Sequence, residues 1–576
     1  MNLKSILPIF DWLPNYKKEW LKGDISAGLT VGVMLIPQGM AYASIAGLPA
    51  VYGLYASIIP ILIYAFFGTS RQLAVGPVAM VSLLTATALG SFQGLSISDY
   101  ISYAILLALL VGVIQFLLGI FRLGFLVNFL SHPVVSGFTS AAALIIGLSQ
   151  LKHLLGVNIP RSHHVHEIIL NAIDKFSDIN WIALIIGLAG IFIIIISKKI
   201  KKSLPGQLFA VIFGILAVTL FGLGNGNATV DIVKDIPSSL PSFVIPTFNI
   251  DIIQLLVPMA LTISLISFME SIAVAKAIQT KHRDYKVVPN QELISLGLAN
   301  VFGSFFQSYP TTGGFSRTAV NDQAGAKTGL ASIISAVLII ITLLFLTPYF
   351  YNLPKAILAS VIMVAVFGLI DYKEAIHLFK SNITDFWMLV ATFISTLTFG
   401  IEIGIGLGVV LSLAMVLFKT TRPHTARLAK VPNTHFYRNI ERFSDLEINE
   451  ETLIYRFDAQ LFFANTNFFK DKLYEYERLK KKNLKLLIID GESINNIDST
   501  AIHAFEEIVS DFKSRSISVY FTGIKGPVRD KLLKSGFITK AKEDHFFMSI
   551  QEAVDYFETK SIAKNNLKQY INQTNK

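Results

Sequence analysis

Glu270 is the residue whose placement most needs a reason. It stands in the apolar run Leu261 to Ala275. A carboxyl at membrane depth is costly and marks a functional site by default. If it takes up a proton there, proton entry can accompany anion entry, because the proton offsets one charge of a divalent anion. Sodium coupling and a structural ion pair with Lys276 or Arg317 are the competing readings. Two interruptions of the hydrophobic pattern, far apart in the chain, are the second feature. One reads Gly68-Thr-Ser-Arg-Gln-Leu-Ala-Val-Gly-Pro-Val-Ala-Met80, the other Tyr309-Pro-Thr-Thr-Gly-Gly-Phe-Ser-Arg-Thr-Ala-Val-Asn321. Each puts Gly-Pro or Gly-Gly just ahead of a short helix that starts inside membrane-embedded sequence. Such a start aims unpaired N–H groups and a partial positive charge inward. It is tolerated only where protein buries it or where it lines a cavity.

Pro77 suits a helix start, which tolerates a missing N–H. The N–H groups of Val78, Ala79 and Met80 are therefore expected to face an anion. At the second start the donors are Phe315, Ser316 and Arg317, with the Ser316 hydroxyl and the Arg317 guanidinium in addition. For Arg317 the alternatives are packing on backbone carbonyls or snorkelling away. One interrupted helix in each half is the sequence pointer to the site of a secondary transporter, so the chemistry implied is carriage of an anion across a bilayer.

The elements that must position these groups follow from composition. Of 576 residues, 53% are hydrophobic and only 15% charged, against roughly 25% charged in soluble domains. This is an integral membrane protein. There is no cysteine, so disulfides and thiolate metal sites are excluded. The net charge of +10 reflects membrane flanks rather than nucleic-acid binding. Apolar segments fall near 25–43, 51–67, 76–90, 101–121, 132–149, 181–197 and 205–222. A second set falls near 253–274, 289–306, 315–323, 328–347, 353–370, 384–400 and 402–418. The third of each set is short and interrupted. Seven segments per repeat, at about 23–222 and 250–419, make the halves inverted relative to each other. The alternative is about twelve ordinary helices, with the short ones as loops.

Loop charge gives the orientation. With the N-terminus inside, the loops holding Lys198, Lys199, Lys201 and Lys202, then Lys276, Lys281, Arg283 and Lys286, then Lys373 and Lys380, are cytoplasmic. The loop 224–249, with Asp231 and Asp235 against Lys234, falls outside. Residues 1–22 form a cytoplasmic segment without a signal-peptide core, and Phe10, Trp12, Trp20 and Leu21 suit the headgroup level. Glu402 reads as interfacial, and His163-His164-Val-His166 as a solvated loop rather than a metal site. Residues 420–450 read as a polar, basic linker. Strands alternating with helices make 451–558 a small α/β domain, and 559–576 is a polar tail.

The stretch Gly47-Leu-Pro-Ala-Val-Tyr-Gly-Leu-Tyr-Ala-Ser57, running into Phe67-Gly-Thr-Ser-Arg-Gln-Leu-Ala-Val-Gly-Pro77, resembles the signature of the SulP anion transporters, relatives of solute carrier family 26. Glu270-Ser-Ile-Ala-Val-Ala-Lys276, Asn290-Gln-Glu-Leu293 and Gly314-Phe-Ser-Arg-Thr-Ala-Val-Asn321 match it too. The C-terminal part resembles a STAS domain, with Ile497-Asp-Ser-Thr-Ala501 at its diagnostic turn. The resemblance implies an α-helical polytopic fold of 14 segments, as 7+7 inverted repeats with two half-helices, split into a core and a gate. It implies an anion between the N-termini of the third and tenth helices, a homodimer and elevator-like motion. It places Arg317 beside the anion and Gln38 and Tyr42 in the cavity wall, for which helix packing is the alternative. An acid at Glu270 implies coupling to protons or sodium. At the STAS turn, Thr500 and then Ser499 match a hydroxyl that is phosphorylated in related regulators. Helix capping by Asp498-Ser499-Thr500 is the competing reading.

The expected function is proton-coupled sulfate uptake with no cofactor, in a bacterial inner membrane with both termini cytoplasmic. Sodium–bicarbonate symport and dicarboxylate uptake stay open. So does a membrane sensor whose STAS domain contacts a cytoplasmic partner. No nucleophile–base set points to an enzyme.

Overall fold

The computed structural model describes residues 7–90, 92, 94–125, 131–159, 165–200, 204–224, 229–282, 284–480 and 483–559. His163, His164, Lys201, Lys202, Arg283, the tail from 560 and the side chain of Glu402 lie outside the described residues. The chain divides into two compact units, 1–412 and 413–576.

The helices of the first unit begin with α1 (Lys18–Ile45), α2 (Val51–Phe67), α3 (Ala79–Gly90), α4 (Ile97–Ile120), α5 (His132–Ser149), α6 (Trp181–Ile200) and α7 (Gly206–Leu220). They continue with α8 (Ile250–His282), α9 (Pro289–Ser304), α10 (Phe315–Gln323), α11 (Leu330–Ile341), α12 (Lys355–Phe367) and α13 (Ile383–Phe399), and α14 (Ile401–Thr421) runs across the boundary into the second unit. α2 is broken between Tyr55 and Ile59, where Pro60 opens its second piece. α11 runs on as a π turn, Thr342–Leu346, and a 3-10 turn, Thr347–Phe350. Connecting helices form at Leu151–Leu155, Val165–Asp174 and Tyr372–Ser381. His166 therefore lies in a helix, a correction to the solvated-loop expectation. Trp12 is also corrected: it is 5% exposed, packed inside protein rather than at a headgroup. Phe10 and Leu21 are exposed.

The packing repeats under exchange of α1–α7 with α8–α14. α1 packs on α11 as α8 packs on α4, and α4 on α9 as α11 on α2. α5 packs on α13 as α12 on α6, and α10 on α1 as α3 on α8. This is the signature of an inverted repeat. α1–α4 interleave with α8–α11, and the contacts of α5–α7 with α12 and α13 form a second set. The approach of α1 to α2 rests on glycine. A Cβ on Gly53 would sit 1.8 Å from the Gly39 carbonyl oxygen, so the signature stretch holds a residue that only glycine can fill.

In the C-terminal unit a six-stranded sheet has the order β4-β3-β5-β6-β7-β8, after a separate β1 (Val75–Gly76) and β2 (Thr312–Gly313) in the first unit. The strands are β3 (Thr425–Lys430), β4 (Tyr437–Asn439), β5 (Thr452–Phe457), β6 (Leu486–Asp490), β7 (Ser518–Thr522) and β8 (Phe546–Phe547). β5 to β8 are parallel, and β3 is antiparallel to both β4 and β5. Alternate side chains of the strands feed two apolar layers. Phe457, Ile489 and Phe521 pack with Phe469 of α15 (Thr466–Arg478) and Phe505 of α16 (Ser499–Ser514). Ile454, Ile488 and Tyr520 face the other way, against Ala553 of a last helix, α18 (Ile550–Thr559), which follows α17 (Gly526–Lys534). Two expectations are corrected. Residues 420–450 are not a linker, because β3 and β4 are strands of the sheet. Ala459 to Phe463 is not a strand, because only Leu461 forms an isolated bridge, to Ile497.

Candidate functional site

The two interruptions meet. β1 and β2 pair antiparallel, Val75 opposite Gly313 and Gly76 opposite Thr312. Gly314 N–H adds a bond to Ala74 O at 3.1 Å. Gly76 holds a φ of +144°, a conformation that L side chains disfavour. The pair satisfies extended backbone inside the membrane part, and α3 and α10 start from its two ends. In α10 the first ladder bond is Thr318 N–H to Gly314 O at 3.0 Å, so the N–H groups of Phe315, Ser316 and Arg317 precede the ladder. In α3 it is Ser82 N–H to Val78 O at 2.9 Å. The free donors there are Ala79, Met80 and Val81. Val78 stands just before the helix start at Ala79, and its N–H makes no hydrogen bond among the described residues either.

Arg317 is 1% exposed. Its Nη1 donates to Pro77 O at 2.6 Å, tying the start of α10 to the entry of α3. Its Nε and Nη2 have no hydrogen-bond partner among the described residues. A buried guanidinium with free N–H groups is costly unless something accepts from them. Tyr42, Glu270 and Tyr309 are in its electrostatic reach. Gln38 and Tyr42 are buried on α1, and Gln38 Oε1 also lacks a partner.

A cavity of about 650 Å³ is lined by Met80 of α3, Phe315 of α10 and Glu270 of α8. Phe315 is 48% exposed. Glu270 makes no ion pair or side-chain hydrogen bond among the described residues, so the structural pair with Lys276 or Arg317 is absent there. Arg122, His132, Lys276 and Leu369 stand at other points of the wall. Gln38, Tyr42 and Arg317 are not among its lining residues.

The supports of the β1–β2 crossing escaped sequence reasoning. On α8, Ser267 O accepts from Thr312 Oγ1 at 2.7 Å, and Ser271 Oγ accepts from Gly313 N–H at 2.8 Å. Asn300 of α9 binds Thr311 both ways: its Oδ1 accepts the Thr311 N–H at 2.7 Å and its Nδ2 donates to Thr311 O at 3.1 Å. Gln115 of α4 donates to Ser267 Oγ at 2.8 Å and accepts from Asn300 at 3.2 Å. Glu292 is fully buried and anchors the chain ahead of β1. It accepts from the Tyr64 hydroxyl at 2.6 Å and from Thr69 N–H at 2.7 Å. The signal was available: Ser264, Ser267 and Ser271 form a polar stripe at helical spacing on an apolar helix.

At the C-terminal turn, Asp498 Oδ1 accepts Ala501 N–H at 2.9 Å and Oδ2 accepts Phe463 N–H at 2.8 Å. Asp498 is the N-cap of α16, and Ser499 and Thr500 are exposed in its first turn.

The profile of the sulfate permease family matches residues 21–392, and that of the STAS domain residues 444–553. The chain is 39% identical over 566 residues to the chloroplastic sulfate transporter 4.1 of Arabidopsis thaliana, covering 96% of this chain and 82% of that one. It is 34% identical over 587 residues to the high affinity sulfate transporter 2 of Stylosanthes hamata, covering 98% and 88%. Its fold superposes on the murine solute carrier 26 family member A9 anion transporter in the inward-facing state with a TM-score of 0.87, at 27% identity over 96% of this chain and 94% of that one. The transmembrane domain of a cyanobacterial bicarbonate transporter shares the fold at a TM-score of 0.59, with 22% identity over 69% of this chain and 98% of that one. With the family profile covering most of the helical unit and a STAS domain following it, the chain belongs to the sulfate permease family of membrane anion transporters.

Proposed function

We propose that the chain takes up sulfate by secondary active transport coupled to protons. The anion is held between the starts of α3 and α10, and Glu270 is the group that carries the coupling proton. The observation that carries this reading is the placement of Glu270, with no ion pair or side-chain hydrogen bond among the described residues, on the wall of the cavity that Met80 and Phe315 also line. Arg317, whose Nε and Nη2 have no hydrogen-bond partner among the described residues, supports an oxyanion there. The names of the plant relatives support sulfate. The two packing sets support a core that moves against a gate, and an elevator-like cycle, a homodimer and cytoplasmic termini in a plasma membrane complete the reading. Ser499 and Thr500 are the proposed regulatory positions of the STAS domain, open to a cytoplasmic partner.

The test is uptake of labelled sulfate, bicarbonate and fumarate into proteoliposomes of wild type and Glu270→Gln, each with a proton and then a sodium gradient. Proton-stimulated sulfate uptake that the variant loses is the expected result. Uptake driven by sodium alone would move the assignment to a sodium symporter.

A further inference from the structure

The C-terminal unit holds a second concentration of cationic groups, independent of the helix-end site. A pocket of about 480 Å³ lies where the entry to β3, the end of β4 and the end of β5 come together. His424, Arg438, Arg442 and Arg456 line it, with Asp458 as its acid. Arg456 and Asp458 neutralise each other, since Nε and Nη2 donate to the carboxylate at 2.7 and 3.0 Å. His424 Nδ1 lies 2.7 Å from the same carboxylate.

The other two arginines have no such partner. Arg438 donates to Tyr437 O at 3.3 Å and lies over the ring of Phe436 at 5.9 Å, and it makes no ion pair with a carboxylate among the described residues. Arg442 makes no side-chain hydrogen bond or ion pair among the described residues. Asn439 is 6% exposed and also lines the pocket. Its Oδ1 accepts Glu441 N–H at 2.9 Å, which leaves the amide nitrogen as its remaining donor group. Two guanidinium forks and an amide, without a carboxylate among them, match an anion with several oxygens better than a halide.

We propose that this pocket binds a tetrahedral dianionic oxyanion, a phosphate or sulfate group, held by Arg438 and Arg442 with Asn439 and His424 beside it. The group can belong to a soluble anion or to a phospholipid headgroup. The headgroup source is raised by the chain itself, in which only Arg422 and Pro423 separate the end of α14 at Thr421 from His424.

Hydrogen–deuterium exchange of the full chain tests this and locates the effect. The protein is placed in phosphatidylcholine nanodiscs at constant ionic strength, with chloride exchanged for inorganic phosphate or sulfate. Slower exchange across 436–443 and around 456–458 is expected, with a half-effect concentration that Arg438→Gln/Arg442→Gln raises about tenfold or more. Arg478→Gln, away from the pocket, leaves it unchanged. Arg442→Gln alone removes no contact the fold uses and serves if the double variant is unstable. A second arm uses nanodiscs containing phosphatidic acid in phosphate-free buffer. Protection there, and not with soluble anions, assigns the site to a headgroup. Protection by chloride equal to that by phosphate, protection the variants do not weaken, or none in either arm overturns the proposal.

Discussion

Arg317 is held at one end and free at the other. Nη1 is fixed on Pro77 O at 2.6 Å, while Nε and Nη2 have no acceptor among the described residues. A purely structural arginine in a dry setting fills its donors, because each unfilled one forfeits a hydrogen bond. An anion at the starts of α3 and α10 would supply the missing acceptors. Arg317→Gln is therefore expected to raise KM for the anion by about tenfold or more, the loss of a charge-assisted hydrogen bond worth roughly 1.5–3 kcal/mol. Arg317→Lys keeps the charge but lacks the fork, and should fall between. Uptake kinetics in proteoliposomes decide it: a fall in folded yield with KM unchanged would make Arg317 a strut between the two breaks. Glu292 is the contrasting residue. In sequence it is an acid in the first turn of a helix, a common surface pattern. Its real partners, Tyr64 and Thr69, lie more than two hundred positions earlier, and no local pattern announces them.

At the scale of elements, hydropathy locates helices well where the bilayer dictates them. Residues 132–149 and 315–323 form helices with the bounds expected of them. It fails where pairing partners decide. β3 and β4 are short, basic strands whose reason to exist is β5, so the sequence from 420 to 450 looks like linker. The glycines are legible as a motif but not as a geometry. Only the structure shows that Gly53 sits against Gly39 O, where a Cβ would come within 1.8 Å. Gly53→Ala must push α1 and α2 apart, a strain of about 3 kcal/mol or more, and is expected to lower the unfolding midpoint of the detergent-purified protein. An unshifted midpoint would mean that the crossing can relax.

The sheet offers a pH-dependent case. Burial at the end of β6 pushes Asp490 up from 3.8 to about 6, against the Glu492 N–H bond, which favours the ionised form. The folded value lies above the unfolded one, so the unfolded chain gives up its proton first. Stability then falls as pH rises from about 4 to about 6, by roughly 3 kcal/mol, and stays low above that. Asp490→Asn keeps an acceptor and removes the charge. In urea unfolding of the C-terminal unit, followed by proteolysis of the full chain, it is expected to match wild type near pH 4 and exceed it at pH 7. A gap that does not widen with pH would show that Asp490 is ionised without strain.

For the whole molecule, the test is which side each cavity opens to. Ala273 lines the cavity shared with Glu270, and Ser44 lines a separate one of about 350 Å³ with Gln150 and Lys355. Ser44 is near the C-terminal end of α1, and Ala273 lies in the C-terminal part of α8. Seven crossings separate the start of α1 from the start of α8. The two helices therefore run in opposite directions, and these residues approach opposite faces of the bilayer. The lysine-rich loops follow the face to which α8 descends, which the positive-inside rule assigns to the cytoplasm. Because the chain has no cysteine, Ser44→Cys and Ala273→Cys each introduce the only thiol. A membrane-impermeant maleimide is expected to label Ala273→Cys in inside-out vesicles and Ser44→Cys in right-side-out ones. Saturating transported anion should slow the first, since that cavity leads to both helix starts. Reversed sidedness would invert the orientation while leaving the fold intact. Labelling of Ala273→Cys from both sides would mean that the cavity also opens outward within the labelling time, as alternating access requires.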